Sequence, residues 1–86
     1  INPGTTMGFS LPTAGDVTLR IYSTTGQLIR QVTSGNFAVG EHQVNWDGRN
    51  VTGEQVAAGI YLYQLVVRDA AGAVTFTETK RMALLK

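Results

Sequence analysis

Cysteine is absent from this chain of 86 residues, so disulfide staples and thiolate metal sites are both excluded. Histidine occurs once, as His42, which leaves no histidine cluster for zinc and no Ser-His-Asp set to argue from spacing. Charge is scarce: 15% of residues are Asp, Glu, Lys or Arg, and the net charge is +1. A balance that small, with Lys and Arg scattered and no basic run interleaved with aromatics, carries no nucleic-acid footprint. No apolar run approaches the roughly 20 residues of a helical membrane span. The opening Ile1-Asn2-Pro3-Gly4 is neither an initiator methionine nor a signal peptide; it reads as a cut fragment, with residues 1–4 a linker remnant ahead of one domain over residues 5–86.

What the chain does have is hydrophobic residues, 43% of the total, arranged with a period of two and never with a helical one. Met7, Phe9 and Leu11 alternate with small or polar residues. Val17, Leu19 and Ile21 form one face of the clearest strand, and Thr18, Arg20 and Tyr22 the other. Ser23-Thr24-Thr25-Gly26 reads as a hairpin with Gly26 left-handed in a bulge, and Asp69-Ala70-Ala71-Gly72 repeats the pattern. The return strand over residues 27–33 carries Leu28, Ile29 and Val32 at a spacing that fits neither period, which predicts a bulge or a crossing between sheets. Residues 34–40 read as a loop with Phe37 turned inward. Residues 41–46 place His42, Val44 and Trp46 on one face. Tyr61, Tyr63, Leu65 and Val67 share a face of the most apolar strand, with Ile60, Leu62 and Val66 opposite, the pattern of a central strand. The final segment, 73–86, alternates through Val74 and Phe76 and through Met82 and Leu84; Glu78-Thr79-Lys80-Arg81 between them predicts a bend, a bulge or an exposed edge. Strands broken by turn signals every 8–12 residues or so describe an antiparallel β-sandwich. The fold class is therefore all-β with six or seven strands, and the expected core is Phe9, Val17, Leu19, Ile21, Val44, Trp46, Tyr61, Tyr63 and Leu65.

The stretch from 46 to 63, W-D-G-R-N-V-T-G-E-Q-V-A-A-G-I-Y-L-Y, holds the densest set of candidate residues. Asp47, Asn50 and Glu54 offer hard oxygen donors for calcium, although their spacing does not match the D-x-[DN]-x-[DN]-G-x5-E loop. The alternative is that Asp47 and Asn50 bond nearby backbone amides as Asx turns. Glu41, Asp47, Glu54, Asp69 and Glu78 include carboxylate pairs of the kind used in glycoside hydrolysis, but five scattered carboxylates supply such pairs by chance, and the chain is read as non-catalytic. Tyr22, Trp46, Tyr61 and Tyr63 are candidates for a sugar-binding platform. Trp46 shares a face with Val44 and is placed in the core, which leaves Tyr22 the better candidate for an exposed contact. No cofactor is expected, calcium being the one candidate ion.

The ordered set Asn2-Pro3, Thr5-Thr6, Phe9-Ser10-Leu11-Pro12, Val17-x-Leu19-x-Ile21-Tyr22-x3-Gly26, then Gly40-x-His42-x-Val44-x-Trp46-Asp47-Gly48-x4-Gly53-x2-Val56-Ala57-x-Gly59-Ile60-Tyr61-x-Tyr63, then Lys80-Arg81-Met82-x-Leu84-Leu85-Lys86, resembles the type IX (Por) secretion system C-terminal sorting domain. It is similar in equal measure to the Ig-like domain of the flagellar hook-capping protein. Either resemblance implies an Ig-like or fibronectin-III-like sandwich. The first implies a module at the end of a larger exported bacterial protein, read by outer-membrane sorting machinery and anchored at the cell surface. On that reading, which is the leading expectation, Lys80, Arg81, Met82, Leu84, Leu85 and Lys86 form the recognised tail. The partners are the neighbouring domain of the parent protein and the secretion machinery, the isolated domain is a monomer, and the localisation is secreted or cell-surface. The second expectation is a structural Ig-like spacer, as in hook-capping proteins or multimodular glycosidases, that stabilises or positions a neighbour (a glycosidase domain among the candidates) without being recognised, and the third is a carbohydrate-binding module.

Overall fold

A computed structural model describes residues 4–85; Ile1, Asn2 and Pro3 of the expected linker and Lys86 of the expected tail lie outside the described residues. Six strands follow one another: β1 (Thr5–Leu11), β2 (Gly15–Ser23), β3 (Leu28–Phe37), β4 (Gly40–Trp46), β5 (Gly59–Arg68) and β6 (Val74–Leu84). All pairings are antiparallel. β3, β2, β5 and β6 form a four-stranded sheet in that order, and β1 pairs with β4 in a two-stranded sheet. The two layers enclose one core, and the molecule is an all-β Ig-like sandwich.

The alternation seen in the sequence is what builds the core. On β2, Val17, Leu19 and Ile21 are buried, and β5 sets Val67, Leu65 and Tyr63 directly opposite them. From the other layer β1 contributes Met7, Phe9 and Leu11, and β4 contributes Trp46. Each such aliphatic side chain is worth about 1.5–3 kcal/mol on burial. Val44, expected in the core, is only partly buried and packs against it. Met7, Leu11, Val67 and Leu84 are fully part of it. β5 lies between β2 and β6, the central position that its two apolar faces predicted.

One element differs from its sequence expectation, and another takes the last of the three forms expected of it, an exposed edge. Residues 34–37 are not a loop but the far half of β3, with Asn36 opposite Asp16 and Phe37 opposite Gly15. Available backbone partners on β2 outweigh the turn preference of Ser34, Gly35 and Asn36. The 78–81 segment is neither bent nor bulged: β6 pairs continuously with β5 through it, and the register shift of that pair falls between Val67 and Arg68. Its charges mark the exposed outer strand of the sheet. The irregular spacing on β3 has the cause it suggested. Register shifts between Leu19 and Arg20 and between Ile21 and Tyr22 leave Val32 and Ile29 as extra residues, and both turn toward the core. In the β2–β3 hairpin Gly26 has φ +91°, and Gly72 in the β5–β6 hairpin has φ +84°. Each sends its N–H back to the residue three before it, Ser23 or Asp69.

Candidate functional site

The connection between β4 and β5, residues 47–58, is long for a sandwich of this size, and it is ordered by its own side chains. Trp46 ends β4 inside the core, and its Nε1–H donates to the Arg49 carbonyl at 2.9 Å. Tyr61, near the start of β5, donates its hydroxyl to the Ala57 carbonyl at 2.6 Å. Between these anchors Asn50 Oδ1 accepts from the amides of Thr52 and Glu54, each at 3.1 Å, and from the Thr52 hydroxyl at 2.8 Å. The Thr52 hydroxyl also lies 3.0 Å from the Glu54 carboxylate. Gly53 donates to the Asn50 carbonyl, Asn50 to the Glu54 carbonyl, and Val56 to the Gly48 carbonyl. Most of the polar backbone of the loop is thus satisfied locally, as exposed chain needs if it is to hold one conformation.

The three calcium candidates do not converge. Asn50 and Glu54 meet at Thr52, but Asp47 turns the other way: its Oδ1 accepts from the Arg49 amide at 3.1 Å and from Arg30 Nη1 at 3.2 Å. The lone pairs a cation needs are taken up by N–H and O–H donors. Among the described residues no three His, Cys, Asp or Glu side chains stand close enough to hold a metal ion. The arrangement of Asp47 and Asn50 is that of turn stabilisers. The Arg30–Asp47 pair, 3.2 Å across the two layers, has no local sequence signal. It exists because the bulges on β3 rotate Arg30, opposite Ile21, toward β4. An open cavity of about 480 Å³ beside it is lined by Thr5, Thr6, Val32 and Asn45 as well as the ion pair.

The remaining candidates are dispersed. His42 packs between Phe9 and Phe37, with ring centroids 5.4 and 5.0 Å away, and its Nε2 lies 2.8 Å from the Ala38 carbonyl; it closes one end of the core. Glu41 and Glu54 are exposed on separate elements, Glu78 pairs with Lys80 at 3.4 Å, and Asp69 accepts from the amides of Ala71 and Ala73 in its own turn. Trp46, Tyr61 and Tyr63 are buried at 1, 8 and 8% exposure; they cannot form a sugar platform. Tyr22 stands on the outer face of the large sheet, half-buried, between Leu28 on β3 and Leu62 on β5.

The tail is built into the fold. Lys80 and Met82 sit opposite Tyr63 and Tyr61 on the inward face of β6, and Arg81 sits opposite Leu62 on the outward face. Leu84 is wholly buried. Leu85 is 74% exposed, and its backbone bridges Gly4 at the start of β1. Removing this segment would take away the outer strand and a core leucine.

Residues 2–72 match the family model described as the FlgD Ig-like domain. Among solved structures, FlgD from Pseudomonas aeruginosa superposes with a TM-score of 0.79 at 21% identity, over 88% of this chain and 58% of that one. FlgD from Xanthomonas campestris, described in terms of the hook capping essential for flagellar assembly, superposes with a TM-score of 0.73 at 26% identity, over 96% of this chain and 56% of that one. The chain therefore spans just over half the length of these structures. No curated protein matches the sequence. Of the two families the sequence resembles equally, the matches select the hook-capping one. That corrects the leading expectation of a type IX sorting domain, and with it the outer-membrane sorting machinery as partner and the secreted or cell-surface localisation. The glycosidase spacer and the carbohydrate-binding module are corrected by the same finding.

Proposed function

The chain belongs to the FlgD Ig-like domain family, and from that premise we propose that it is the Ig-like module of a flagellar hook-capping protein, a rigid structural part with no catalytic step of its own. The observation that carries this reading is the family match over residues 2–72, which takes in β1 through β5. The geometry is in keeping with it. The long loop is pinned at both ends by core aromatics and satisfied by its own side chains, and the terminal strand is locked to both layers. Such a module holds its shape under load and offers surface, not chemistry.

The test is genetic. The coding segment for residues 1–86 is removed in frame from the parent gene in its own host, and the parent protein is confirmed by immunoblot to accumulate. Loss of hooks under the electron microscope and loss of swimming are the expected result. Hooks of normal number and length in the deletion strain would overturn the reading.

A further inference from the structure

β6 is the outer strand of the large sheet, and among the described residues no strand pairs with its far edge. It runs from Val74 to Leu84 without a proline. The backbone of a strand alternates between facing one neighbour and facing away. The Asp69 N–H bonds the Ala73 carbonyl, and the Val67 carbonyl accepts from the Thr75 hydroxyl at 3.3 Å, so the odd-numbered residues of β5 face β6. Their register partners are Phe76, Glu78, Lys80 and Met82. Those four turn their backbone groups to β5, and the N–H and C=O groups of Thr77, Thr79 and Arg81 line the open edge.

The side chains along this edge stand in an order that a two-fold axis exchanges. On the inward face the order is Phe76, Glu78, Lys80, Met82: apolar, anion, cation, apolar. Phe76 and Met82 are only partly buried, and the Glu78 and Lys80 side chains are 40 and 47% exposed. In an antiparallel pairing of two copies centred on Thr79, Glu78 of each faces Lys80 of the other, and Phe76 faces Met82. Thr79 faces its own copy, and Thr77 faces Arg81. These last pairs exchange the backbone hydrogen bonds, so the charged pairs fall at the closer positions between them, where Cα atoms stand about 4.5 Å apart. Neighbouring registers fail. Centring on Glu78, Lys80 or Arg81 sets like charges face to face, and centring on Thr77 sets Glu78 against Phe76. Inward charges usually keep an edge single. One anion followed by one cation does the opposite at this register, because each meets its complement.

We propose that two copies of this chain, expected from the sequence to be monomeric, pair edge to edge through β6 about a two-fold axis at Thr79, joining their four-stranded sheets into one. The occupant follows from charge complementarity. A second copy brings on its own β6 the cation for each Glu78, the anion for each Lys80, and an apolar partner for Phe76 and Met82, a ring against a thioether. The backbone groups of Thr77, Thr79 and Arg81 find partners in the same step. The contact lies within residues 76–82, clear of both termini. One strand edge is a small interface, so the pair is weak and forms at roughly 0.1–1 mM. Copies gathered in one assembly meet at such concentrations. The pairing follows from β6 alone and stands or falls apart from the hook-capping reading.

Charge reversal tests this. Sedimentation velocity of the 86-residue chain at low salt, from roughly 0.01 to 1 mM, should show a coefficient that rises toward that of a dimer. Glu78→Lys leaves two cations on the strand and Lys80→Glu two anions, so each variant alone should associate at least roughly ten-fold more weakly. Mixed in equal amounts, the two should associate with each other, since every cation then faces an anion across the axis. The double reversal keeps the alternation and should dimerise like the unmodified chain. In the unmodified chain, amide exchange at Thr77, Thr79 and Arg81 should slow as concentration rises, because those N–H groups become bonded; this measurement decides even where a reversal unfolds the domain. A chain that sediments as a monomer throughout would overturn the proposal. So would association that both single reversals leave unchanged, a mixture no more associated than its components, or exchange at the three edge amides that ignores concentration.

Discussion

Trp46 and Tyr61 meet edge to face, with ring centroids 5.3 Å apart and planes at 75°, and each uses its polar atom to hold one end of the loop that separates them. The indole takes the Arg49 carbonyl and the phenol takes the Ala57 carbonyl. The pair is therefore both core and loop anchor, holding the glycine-containing loop at its two ends.

Separating the two roles is possible because the phenol can be removed alone. Tyr61→Phe keeps the ring contact and loses one hydrogen bond, at a cost of about 1 kcal/mol. Trp46→Ala removes the ring and leaves a cavity, at a cost of about 3–5 kcal/mol. Urea unfolding followed by circular dichroism should show this order. Amide exchange in residues 56–60 should quicken in Tyr61→Phe by more than the global loss accounts for. If both variants lose the same stability, the phenol bond is not what anchors the loop.

A second prediction concerns Asn50, whose side-chain oxygen accepts three hydrogen bonds. Asn50→Ala should cost about 1–2 kcal/mol, comparable to the loss of a helix cap, because it strands the amides of Thr52 and Glu54. Calcium at millimolar concentration should move the melting temperature of the unmodified chain by less than about 1 °C, since a ligand stabilises only as far as it binds the folded state. A saturable rise of several degrees, abolished by Asn50→Ala, would show that the loop does hold the ion.

Gly48 and Gly53 form a matched pair for the third. Both have positive φ, +79° and +86°, so an alanine at either carries about 1 kcal/mol or more of backbone strain. They differ in surroundings. A Cβ on Gly53 meets nothing within 4 Å, whereas one on Gly48 lies 3.2 Å from Gln55 Oε1 and 3.4 Å from both Leu84 methyls. Gly48→Ala should therefore lose more stability than Gly53→Ala, by roughly 0.5–1.5 kcal/mol. Equal losses in thermal unfolding would mean that Leu84 yields freely beneath the loop.

Local pattern made the strands legible, and long-range pairing hid the rest. Val17, Leu19 and Ile21 announce their face by alternation alone, and Gly26 and Gly72 announce their turns by position. The division into two and four strands depends on β1 finding β4, with Thr5 opposite Trp46, a choice that no local period records. The same limit explains residues 34–37, where Ser, Gly and Asn read as a turn until β2 is seen beside them. In the loop the roles of Asp47 and Asn50 were readable because Asx chemistry is short-range. Arg30, the partner of Asp47 from 17 residues away, was not. The tail misled for a physical reason: a basic segment with two adjacent leucines looks equally like a docking strand and like an outer strand with one buried side chain.

That ambiguity yields the last prediction. If the tail is a strand, its two adjacent leucines must behave differently, since Leu84 is wholly buried and Leu85 is 74% exposed. Leu84→Ala should cost about 2–5 kcal/mol, by loss of burial and creation of a cavity beneath Gly48. Leu85→Ala should stay within about 0.5 kcal/mol, because its side chain points to water while its backbone still bridges Gly4. A docking peptide would show neither effect on the stability of the isolated domain, as its side chains would be free in the unbound state. Denaturant midpoints of the two variants at unchanged slope decide between these. Two near-neutral results would detach the tail from the core and return it to the surface.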